Sequence, residues 1–240
     1  MTQTETDIDT TEVEEYRQFR FERPPGATEL LLVRHGESEP SRPDRPFPLV
    51  DGHGDPALSD EGREQAARVG ERLAINGVDA VYVSSLRRTA ETAAPLLARL
   101  GTEATVERDL REVHLGEWEN VFRQKVAKRD PIALRMWEQQ RWDVIPGAEP
   151  ADDFARRVRG AIERLAALHP DERVAVFTHG GVIGQILVEA SGARETFAFT
   201  GADNGSISHL VVDGGRWIIR RYNDTAHLDP VFSLRSDPLT

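Results

Sequence analysis

Leu30-Leu31-Leu32-Val33-Arg34-His35-Gly36-Glu37 is the stretch that decides the fold. Its four apolar residues predict a short, fully buried strand, and an Arg-His-Gly triplet follows at once. A buried strand that ends in a cation, an imidazole and a glycine brings polar groups to a sheet edge. In open α/β sheets, ligands bind in the crevice beyond the carboxyl ends of the strands. We therefore expect His35 to do chemistry at that edge, on something anionic.

Two later segments repeat this arrangement of a buried strand followed by a helix. Residues 78–84 and 174–178 are apolar runs, and Arg88 and His179 follow them. Further helices are predicted from Ser59 as an N-cap, over residues 85–100, over 154–168 and over 182–190, and an antiparallel strand pair over 206–212 and 216–222. Strands that alternate with helices predict an α/β fold, a three-layer α/β/α sandwich with a mostly parallel sheet.

The composition limits the classes of function. The chain has 240 residues, a net charge of −11 and no cysteine. An acidic balance argues against nucleic-acid binding, and the lack of cysteine excludes disulfides, thiolate metal sites and a cysteine nucleophile. We see no apolar run that could cross a membrane and no apolar core of a secretory signal. We therefore expect a cytoplasmic protein without nucleic-acid or membrane partners.

The chain divides into one domain with two terminal segments. We expect residues 1–28 to form an acidic, partly disordered extension, residues 29–228 the domain, and residues 229–240 a tail. Prolines and glycines make residues 38–58 a long irregular loop, a kind that often binds ligands. A tryptophan-rich stretch, broken by a proline, predicts a helical lid over about residues 113–150.

The strand ends predict a site for a phosphoryl group. Arg34, His35, Arg88 and His179 each follow a predicted strand, at junctions where free backbone N–H groups favour anions. Guanidinium forks match phosphate oxygens bidentately. Glu112, in the next conspicuous loop, supplies a proton donor for a departing alkoxide, although a surface carboxylate is the alternative for this residue.

An ordered set of motifs resembles the histidine phosphatase superfamily, whose fold is phosphoglycerate-mutase-like. The bare Arg-His-Gly triplet is weak support, whereas the whole set, in family order from residue 29 to about residue 228, is strong. The matching segments are 33–37 (VRHGE), 58–66 (LSDEGREQA), 84–93 (SSLRRTAETA), 110–112 (LRE), 116–119 (GEWE), 178–183 (THGGVI), 204–207 (NGSI) and 223–228 (NDTAHL).

The resemblance implies a role for each residue of the set. His35 is the expected nucleophile, Arg34, Arg88 and His179 bind the phosphoryl oxygens, and Glu112 protonates the leaving oxygen before it activates water. No metal or cofactor is implied, because the guanidinium groups neutralise the charge.

Other positions carry weaker expectations. Arg88 is preferred over Arg87 because it stands four residues before Thr92. Substrate contacts are also expected from Gly180, from Ser59 and from His53, for which a solvated loop position is the alternative.

The lid and loop sequences favour a phosphatase over a mutase. Mutases of this family typically have Glu-Arg-His-Tyr-Gly after the loop strand and a longer lid, whereas this chain has Glu112-Val113-His114-Leu115-Gly116. Three departures leave the substrate open. Residues 38–42 lack an asparagine common in the family, Ala148 replaces a glycine of its Pro-Gly-Gly-Glu turn, and Asn120 stands where glycine is common.

We expect a phosphomonoester phosphatase for a small phosphorylated metabolite. A phosphoglycerate mutase is the first alternative, and a catalytically silent binding module of the same fold is an alternative of another class. A metallohydrolase built on His35, His53 and His179 is the third, although these histidines lack metal-motif spacing and the arginines would repel a cation. Relatives are often dimers, which leaves a homodimer open.

Overall fold

The computed structural model describes residues 15–229, and a six-stranded mixed sheet forms their centre. The order across this sheet is β5-β4-β6-β1-β7-β8, and β2 and β3 form a separate hairpin. The strands are β1 (Thr28–Arg34), β2 (Leu49–Val50), β3 (His53–Gly54), β4 (Ala80–Val83), β5 (Thr105–Val106), β6 (Arg173–Thr178), β7 (Ile207–Asp213) and β8 (Arg216–Asp224). Strands β5, β4, β6 and β1 run parallel, whereas β7 and β8 are antiparallel, as predicted for the last pair.

Helices cover both faces of the sheet. They are α1 (Asp60–Asn76), α2 (Arg87–Leu100), α3 (Phe122–Ala127), α4 (Pro131–Gln139), α5 (Ala151–Leu168) and α6 (Gly180–Ser191). Apolar residues of α1 and α2 form one buried cluster with the sheet, and those of α5 and α6 form another on the opposite face. The predicted three-layer α/β/α sandwich is therefore confirmed.

Strand β1 is buried along its whole length because it contributes to both clusters. Leu30 and Leu32 pack in the cluster with α5 and α6, whereas Leu31 and Val33 pack in the cluster with α1 and α2. This alternation explains why the sequence shows an unbroken apolar run, which is typical of a strand covered on both faces.

Strand register brings the predicted chemistry to one edge. Arg34 of β1 pairs with Thr178 of β6, and Val83 of β4 pairs with Phe177. His35, Ser84 and His179 are the next residues of their strands, so all three lie at the carboxyl edge of the sheet.

The loop after β1 is more regular than the sequence analysis expected. Residues 38–58, predicted to be irregular, contain the β2–β3 hairpin and an isolated pairing of Ser38 with Leu58. Asp51 and Gly52 make the turn of the hairpin, with φ of 50° and 85°. Two positive φ angles between strands indicate a type I′ turn, and Asp-Gly is its usual sequence signal. The Asp-Gly pair is visible in the sequence, but the many prolines around it led to the prediction of an irregular loop.

The predicted lid segment folds as two short helices with their own small core. Pro131 divides the segment, because it occupies the first turn of α4 while Asp130 caps that helix. Trp118, Met136 and Ile145 are buried together at the centre of the lid. The lid therefore has a small core of its own, which Leu115 and Trp142 join to the main cluster with α5 and α6.

Two expectations fall at the limits of the described residues. Residues 1–14 of the expected extension over residues 1–28, and residues 230–240 of the expected tail over residues 229–240, lie outside them, because the description begins at residue 15 and ends at residue 229. Within that range, no helix is both long enough and apolar enough to cross a membrane.

Replacing Gly62 by alanine should destabilise the fold, because α1 packs directly on the turn after β1. A Cβ atom at Gly62 would overlap the carbonyl group of Glu37, and one at Gly36 would lie 2.5 Å from the carbonyl oxygen of Gly62. Overpacking of this kind costs about 1–3 kcal/mol of unfolding free energy, which thermal or denaturant unfolding would measure.

Gly160→Ala is the matched control for that change. Gly160 lies inside α5, and its Cβ would meet only the flexible end of Arg164, at 3.3 Å. Alanine in a helix is favoured over glycine by about 0.5–1 kcal/mol, so this variant should be neutral or more stable. Equal stability of the Gly62→Ala variant and the parent protein would contradict the close packing of α1 on this turn.

Candidate active site

A cavity of about 190 Å³ opens at the carboxyl edge of the sheet. Its walls on the sheet side include five of the predicted residues: Arg34, His35, Arg88, Glu112 and Gly180. The lid and the loop of residues 38–58 form the remaining walls. The cavity thus joins the predicted phosphoryl site to the two segments that were expected to contact a substrate.

His35 is held in a single tautomer by two fixed partners. Its Nδ1 atom lies 2.7 Å from the carbonyl oxygen of Gly36, which can only accept, so Nδ1 carries the proton. The Nε–H group of Arg88 points at Nε2 of His35 from 3.2 Å, and because a guanidinium can only donate, Nε2 must present a lone pair. The lone pair of Nε2 therefore points toward Arg88, and both residues line the cavity.

The choice between two adjacent arginines is decided by geometry. Arg88 is 8% exposed, and besides His35 it donates to the carbonyl oxygen of Gly54 at 3.1 Å. Arg87 lies at the surface, where its side chain pairs with Glu91. Of these two arginines, Arg88 is therefore the one that lines the cavity, which agrees with the preference based on its spacing from Thr92.

His179 is fully buried beside His35, with the two ring centroids 5.2 Å apart. Its Nε2 atom is hydrogen-bonded to the hydroxyl group of Ser84 at 2.8 Å. The Nδ1 atom of His179 is buried, and no described residue is its hydrogen-bond partner. A buried ring nitrogen with no protein partner in residues 15–229 is suited to bind an oxygen of a ligand.

Arg34 approaches the same space from β1. Its Nη1 group donates to the carbonyl oxygen of Ala202, which fixes the guanidinium group. A Cβ atom at Gly180 would lie 3.4 Å from Nε of Arg34, so the glycine leaves room for the arginine at the start of α6. Two buried guanidinium groups therefore converge on the imidazole of His35.

His35, which lines the cavity, and its fully buried neighbour His179 are both kept neutral by their surroundings. Burial, followed by the charges of Arg88 and Arg34, holds the pKa of His35 well below its usual value. Burial, followed by the charge of Arg88, has the same effect on the pKa of His179. Because only a neutral imidazole has a free lone pair, the arginines keep His35 in its nucleophilic form.

Glu112 faces the cavity across the N-terminus of α6. Its Oε2 atom accepts from the backbone N–H of Gly181 at 3.1 Å, and its Oε1 atom accepts from that of Val113 at 2.9 Å. A Cβ atom at Gly181 would overlap Oε1 of Glu112. The second glycine of the His-Gly-Gly motif therefore allows the carboxylate to reach its place.

Two side chains that sequence reasoning did not assign to this task hold the backbone of Glu112. Arg157 of α5 donates to the carbonyl oxygen of Glu112 at 2.9 Å and pairs with Glu149 through its Nε group at 2.6 Å. Nε2 of His53 lies 3.1 Å from the same carbonyl oxygen. The one sequence signal for this arrangement was the Pro-Gly-Ala-Glu turn, because Glu149, which pairs with Arg157, belongs to that turn.

Three of the predicted substrate contacts do not line the cavity: the buried His179, described above, and also His53 and Ser59. His53 is buried with both ring nitrogens facing backbone carbonyl groups, those of Asp51 and Glu112. Ser59 caps α1 by accepting from the N–H of Gly62 at 3.1 Å, and it donates to Glu37. Neither side chain is among the described residues that line the cavity.

The lid adds cavity residues that the sequence analysis did not single out as ligands. Arg123 of α3 lines the cavity, and burial lowers the pKa of its guanidinium group. Aromatic side chains from the lid and from Phe47 form the wall around it: Trp118, Phe122, Trp137 and Trp142. Nothing in the local sequence distinguishes Arg123 from the exposed arginines of the lid.

A cluster suited to a metal ion is missing from the part of the chain that the structure describes. No group of three or more histidine, cysteine, aspartate or glutamate side chains in residues 15–229 could hold one. His53 also faces carbonyl groups away from His35 and His179. The metallohydrolase alternative therefore has no ligand set in this range.

Comparisons with known proteins agree on one family. The model of the histidine phosphatase superfamily (branch 1) matches residues 30–225. Phosphoglycerate mutase-like protein 4 of Arabidopsis thaliana is 36% identical over 214 residues, which are 87% of this chain and 90% of that protein. The metal-independent phosphoserine phosphatase of the same plant is 32% identical over 211 residues, 85% of this chain and 84% of its own.

Solved structures show the same fold. A mycobacterial glucosyl-3-phosphoglycerate phosphatase has a TM-score of 0.70 and 27% sequence identity, and the match covers 83% of this chain and 100% of that one. A phosphoglycerate mutase from Bacillus anthracis has a TM-score of 0.71 at 20% identity, covering 85% of this chain and 96% of that one, which bears on the fold alone.

The buried neutral histidines should make the protein less stable in mild acid. Below pH about 6.5 the unfolded chain takes up protons that the folded His35 and His179 do not, so the unfolding free energy falls. The pKa values of His53, His209 and His227 are also lowered by burial and add to this loss. Each group contributes at most about 1.4 kcal/mol per pH unit, which unfolding curves between pH 7.5 and 5 would measure.

His179→Gln should flatten this pH dependence, because glutamine does not titrate. The pKa of Asp224 is about 2, so its own loss of stability falls at lower pH and does not disturb the comparison. An unchanged slope in the variant would mean that His179 is not held neutral in the folded protein.

Proposed function

The chain belongs to the histidine phosphatase superfamily and is an enzyme of the phosphatase class, and we propose that His35 forms the phosphohistidine intermediate. The observation that carries this proposal is the fixed tautomer of His35. Its protonated Nδ1 is bonded to Gly36, and its Nε2 lone pair is held 3.2 Å from Nε of Arg88. A nucleophile and a cation for the phosphoryl oxygens are thus already aligned.

In the first step, Nε2 of His35 attacks the phosphorus atom of a phosphomonoester. The N–P bond forms while the bond from phosphorus to the leaving oxygen breaks, and the carboxyl group of Glu112 gives its proton to that oxygen. Arg34, Arg88 and His179 bind the three other oxygens. Fixed cations lower the barrier because the transition state is rich in negative charge.

In the second step, water attacks the phosphohistidine. The Glu112 carboxylate takes a proton from the water, the new O–P bond forms, and the N–P bond breaks. Inorganic phosphate leaves, and His35 recovers its lone pair. One carboxyl group serves as acid and then as base, because the second step returns the proton that the first one used. No metal or cofactor enters the proposal.

The substrate class follows from the relatives. Two of the proteins named above are a phosphoserine phosphatase and a glucosyl-3-phosphoglycerate phosphatase. These names support a small phosphorylated metabolite as the substrate of this chain. The cavity of about 190 Å³ also suits a small molecule.

Transfer to a second substrate is the alternative fate of the same intermediate. The name of one plant relative, a phosphoglycerate mutase-like protein, is the reason to retain this alternative. Against it stand the sequence after Glu112 and the short lid. A silent binding module is disfavoured, because the His35 nucleophile, its arginines and Glu112 are all present at the cavity.

Two further proposals concern the protein as a whole. A cytoplasmic location is supported by the acidic composition and the absence of cysteine from the sequence. A homodimer is supported by the dimers that are common in the family, and sedimentation would measure the mass of the particle in solution.

A phosphorylated protein should be trapped during turnover. Rapid quenching without acid, followed by intact-mass analysis, should show one added phosphoryl group, since an N–P bond is lost in acid. His35→Ala should abolish both the adduct and turnover, because the neighbouring imidazole of His179 does not line the cavity and has its Nε2 bonded to Ser84. Full turnover by His35→Ala would rule out the proposed nucleophile.

Incubation with 3-phosphoglycerate and a bisphosphate primer should distinguish the two fates of the intermediate. We expect release of free phosphate, because water reaches the phosphohistidine. Formation of the isomer without free phosphate would overturn the hydrolase proposal and establish the mutase.

Gly181→Ala should impair the chemical step by displacing Glu112. The added Cβ would overlap its carboxylate. We expect kcat/KM, which reports only the steps up to phosphoryl transfer to His35, to fall about 100-fold for an alkyl phosphate, at the low end of the range that general acid–base catalysis supplies. The loss should be much smaller for 4-nitrophenyl phosphate, whose leaving group needs no proton.

Gly215→Ala is the matched control for this test, because a Cβ atom there meets nothing within 4 Å. It should keep the parent rates on both esters. Equal losses on both esters in Gly181→Ala would show that the variant disturbs something other than proton donation.

A further inference from the structure

Two sequence motifs have no part in the proposed reaction: residues 204–207 (NGSI) and residues 223–228 (NDTAHL). The structure brings them together beside the end of β1. Residues 202–206 form a turn before β7, which we call the β7 turn, and the second motif begins in the last residues of β8. Neither motif contributes to the described residues that line the cavity.

The β7 turn contacts both Arg34 and His35. Nη1 of Arg34 donates to the carbonyl oxygen of Ala202. The backbone N–H of Gly205 lies 3.0 Å from the carbonyl oxygen of Arg34 and 3.3 Å from that of His35. Asn204 completes the set, because its Nδ2 group donates to the carbonyl oxygen of His35 at 2.8 Å.

The bond from Asn204 holds one end of the peptide group between His35 and Gly36. At the other end, the N–H of Gly36 donates to the hydroxyl group of Thr92 at 3.0 Å. The next carbonyl group, that of Gly36, is the partner of Nδ1 of His35. A peptide group that is held at both ends keeps this partner in place, so the direction of the His35 ring depends on Asn204.

The second motif holds the β7 turn in its turn. Asn223 forms two hydrogen bonds with Asp203: its Oδ1 atom accepts from the backbone N–H at 2.7 Å, and its Nδ2 group donates to the carboxylate at 2.8 Å. Nε2 of His227 lies 2.9 Å from the carbonyl oxygen of Gly205. The residues on both sides of Asn204 are therefore fixed by side chains of residues 223–228.

His227 is held in the tautomer that its bond to Gly205 needs. Nη1 of Arg72 lies 2.8 Å from Nδ1 of His227, and because a guanidinium can only donate, Nδ1 presents a lone pair and Nε2 carries the proton. Arg72 is fixed by Asp224, to whose carboxylate it donates through both terminal nitrogens. One neutral imidazole thus joins α1 and the end of β8 to the β7 turn.

We propose that Asn204 and His227 are positioning residues for phosphoryl transfer to His35. Asn204 fixes the carbonyl group of the nucleophile, and His227 fixes the turn that carries Asn204. This inference rests on the proposed phosphatase function and adds the residues that aim its nucleophile. Because a misplacement of about 1 Å can cost about 100-fold in rate, a modest shift of the backbone at His35 is enough to slow the reaction.

Asn204→Ala should lower kcat/KM about 10- to 100-fold, by the same factor for an alkyl phosphate and for 4-nitrophenyl phosphate. The losses should be equal because both esters need the displaced nucleophile, whereas Glu112 stays in place. This result differs from that expected for Gly181→Ala, whose loss depends on the leaving group. Rates are measured well below the unfolding midpoint of each variant, where a lower stability alone changes neither of them.

Two inhibitors separate the nucleophile from the groups that bind phosphate. Vanadate imitates the transition state by bonding to the nucleophile, so its inhibition constant should rise in Asn204→Ala by about the factor that kcat/KM loses. The inhibition constant of inorganic phosphate, which forms no bond to the nucleophile, should change little. An equal rise of both constants would place Asn204 with the phosphate-binding groups and overturn the proposal.

His227→Leu tests the same support at a residue farther from His35. It should lower kcat/KM equally on both esters, and His227→Gln should restore part of the loss, because its amide can donate to Gly205. Asn204→Ala combined with His227→Leu should lose little more than Asn204→Ala alone, since the two residues act through one turn. Fully additive losses would show that His227 does not act through this turn.

His209→Gln is the matched control, because His209 lies in β7 and its Nε2 atom has no hydrogen-bond partner within residues 15–229. It should keep the parent rates on both esters. Full activity of Asn204→Ala and of His227→Leu would overturn the positioning role and leave the phosphatase proposal standing. A parent enzyme that hydrolyses no phosphomonoester and forms no adduct at His35 would overturn the proposed function itself.

Discussion

The rest of the structure depends on the placement of two buried guanidinium groups beside one neutral imidazole. Arg34 and Arg88 lower the pKa of His35, and each is fixed by a backbone carbonyl group, that of Ala202 or that of Gly54. The nearest carboxylate to Arg88, that of Asp55, is 3.9 Å away. Arg88 is therefore only loosely paired with a carboxylate in a desolvated place, where a phosphoryl dianion can pair with it.

That arrangement requires elements to approach more closely than side chains usually allow. Gly36 and Gly62 bring α1 onto the turn after His35, and Gly180 and Gly181 admit Arg34 and Glu112 to the start of α6. Each of these glycines leaves room for a neighbouring side chain or backbone segment of the site. The glycines of the sequence motifs are therefore packing requirements, and the arrangement of the site depends on them as much as on the charged residues.

The parts of the site that the sequence predicted are those fixed by local rules. His35 and His179 follow buried strands, and Ser59 caps a helix, so spacing along the chain was enough to place them. Arg157 holds Glu112, which is 45 positions away in sequence, and Arg123 lines the cavity; only tertiary packing distinguishes these two from exposed arginines. The sequence places His53 near the site, but the direction in which its ring faces depends on the hairpin turn.

The residues proposed for the reaction lie at the sheet edge, whereas the lid and the loop of residues 38–58 form the other walls of the cavity, where substrate selection is expected. The proposed nucleophile and the residues proposed to bind the phosphoryl group lie at strand ends and helix starts, next to the two main clusters. The lid and the loop of residues 38–58 are joined through Asn120, whose amide group donates to the carbonyl oxygen of Phe47 at 3.1 Å. Asn120 has a φ of 65°, which asparagine tolerates where glycine is common in the family. Asn120 thus keeps the turn and also joins the lid to the loop of residues 38–58 at the wall of the cavity, on the side away from the strand ends.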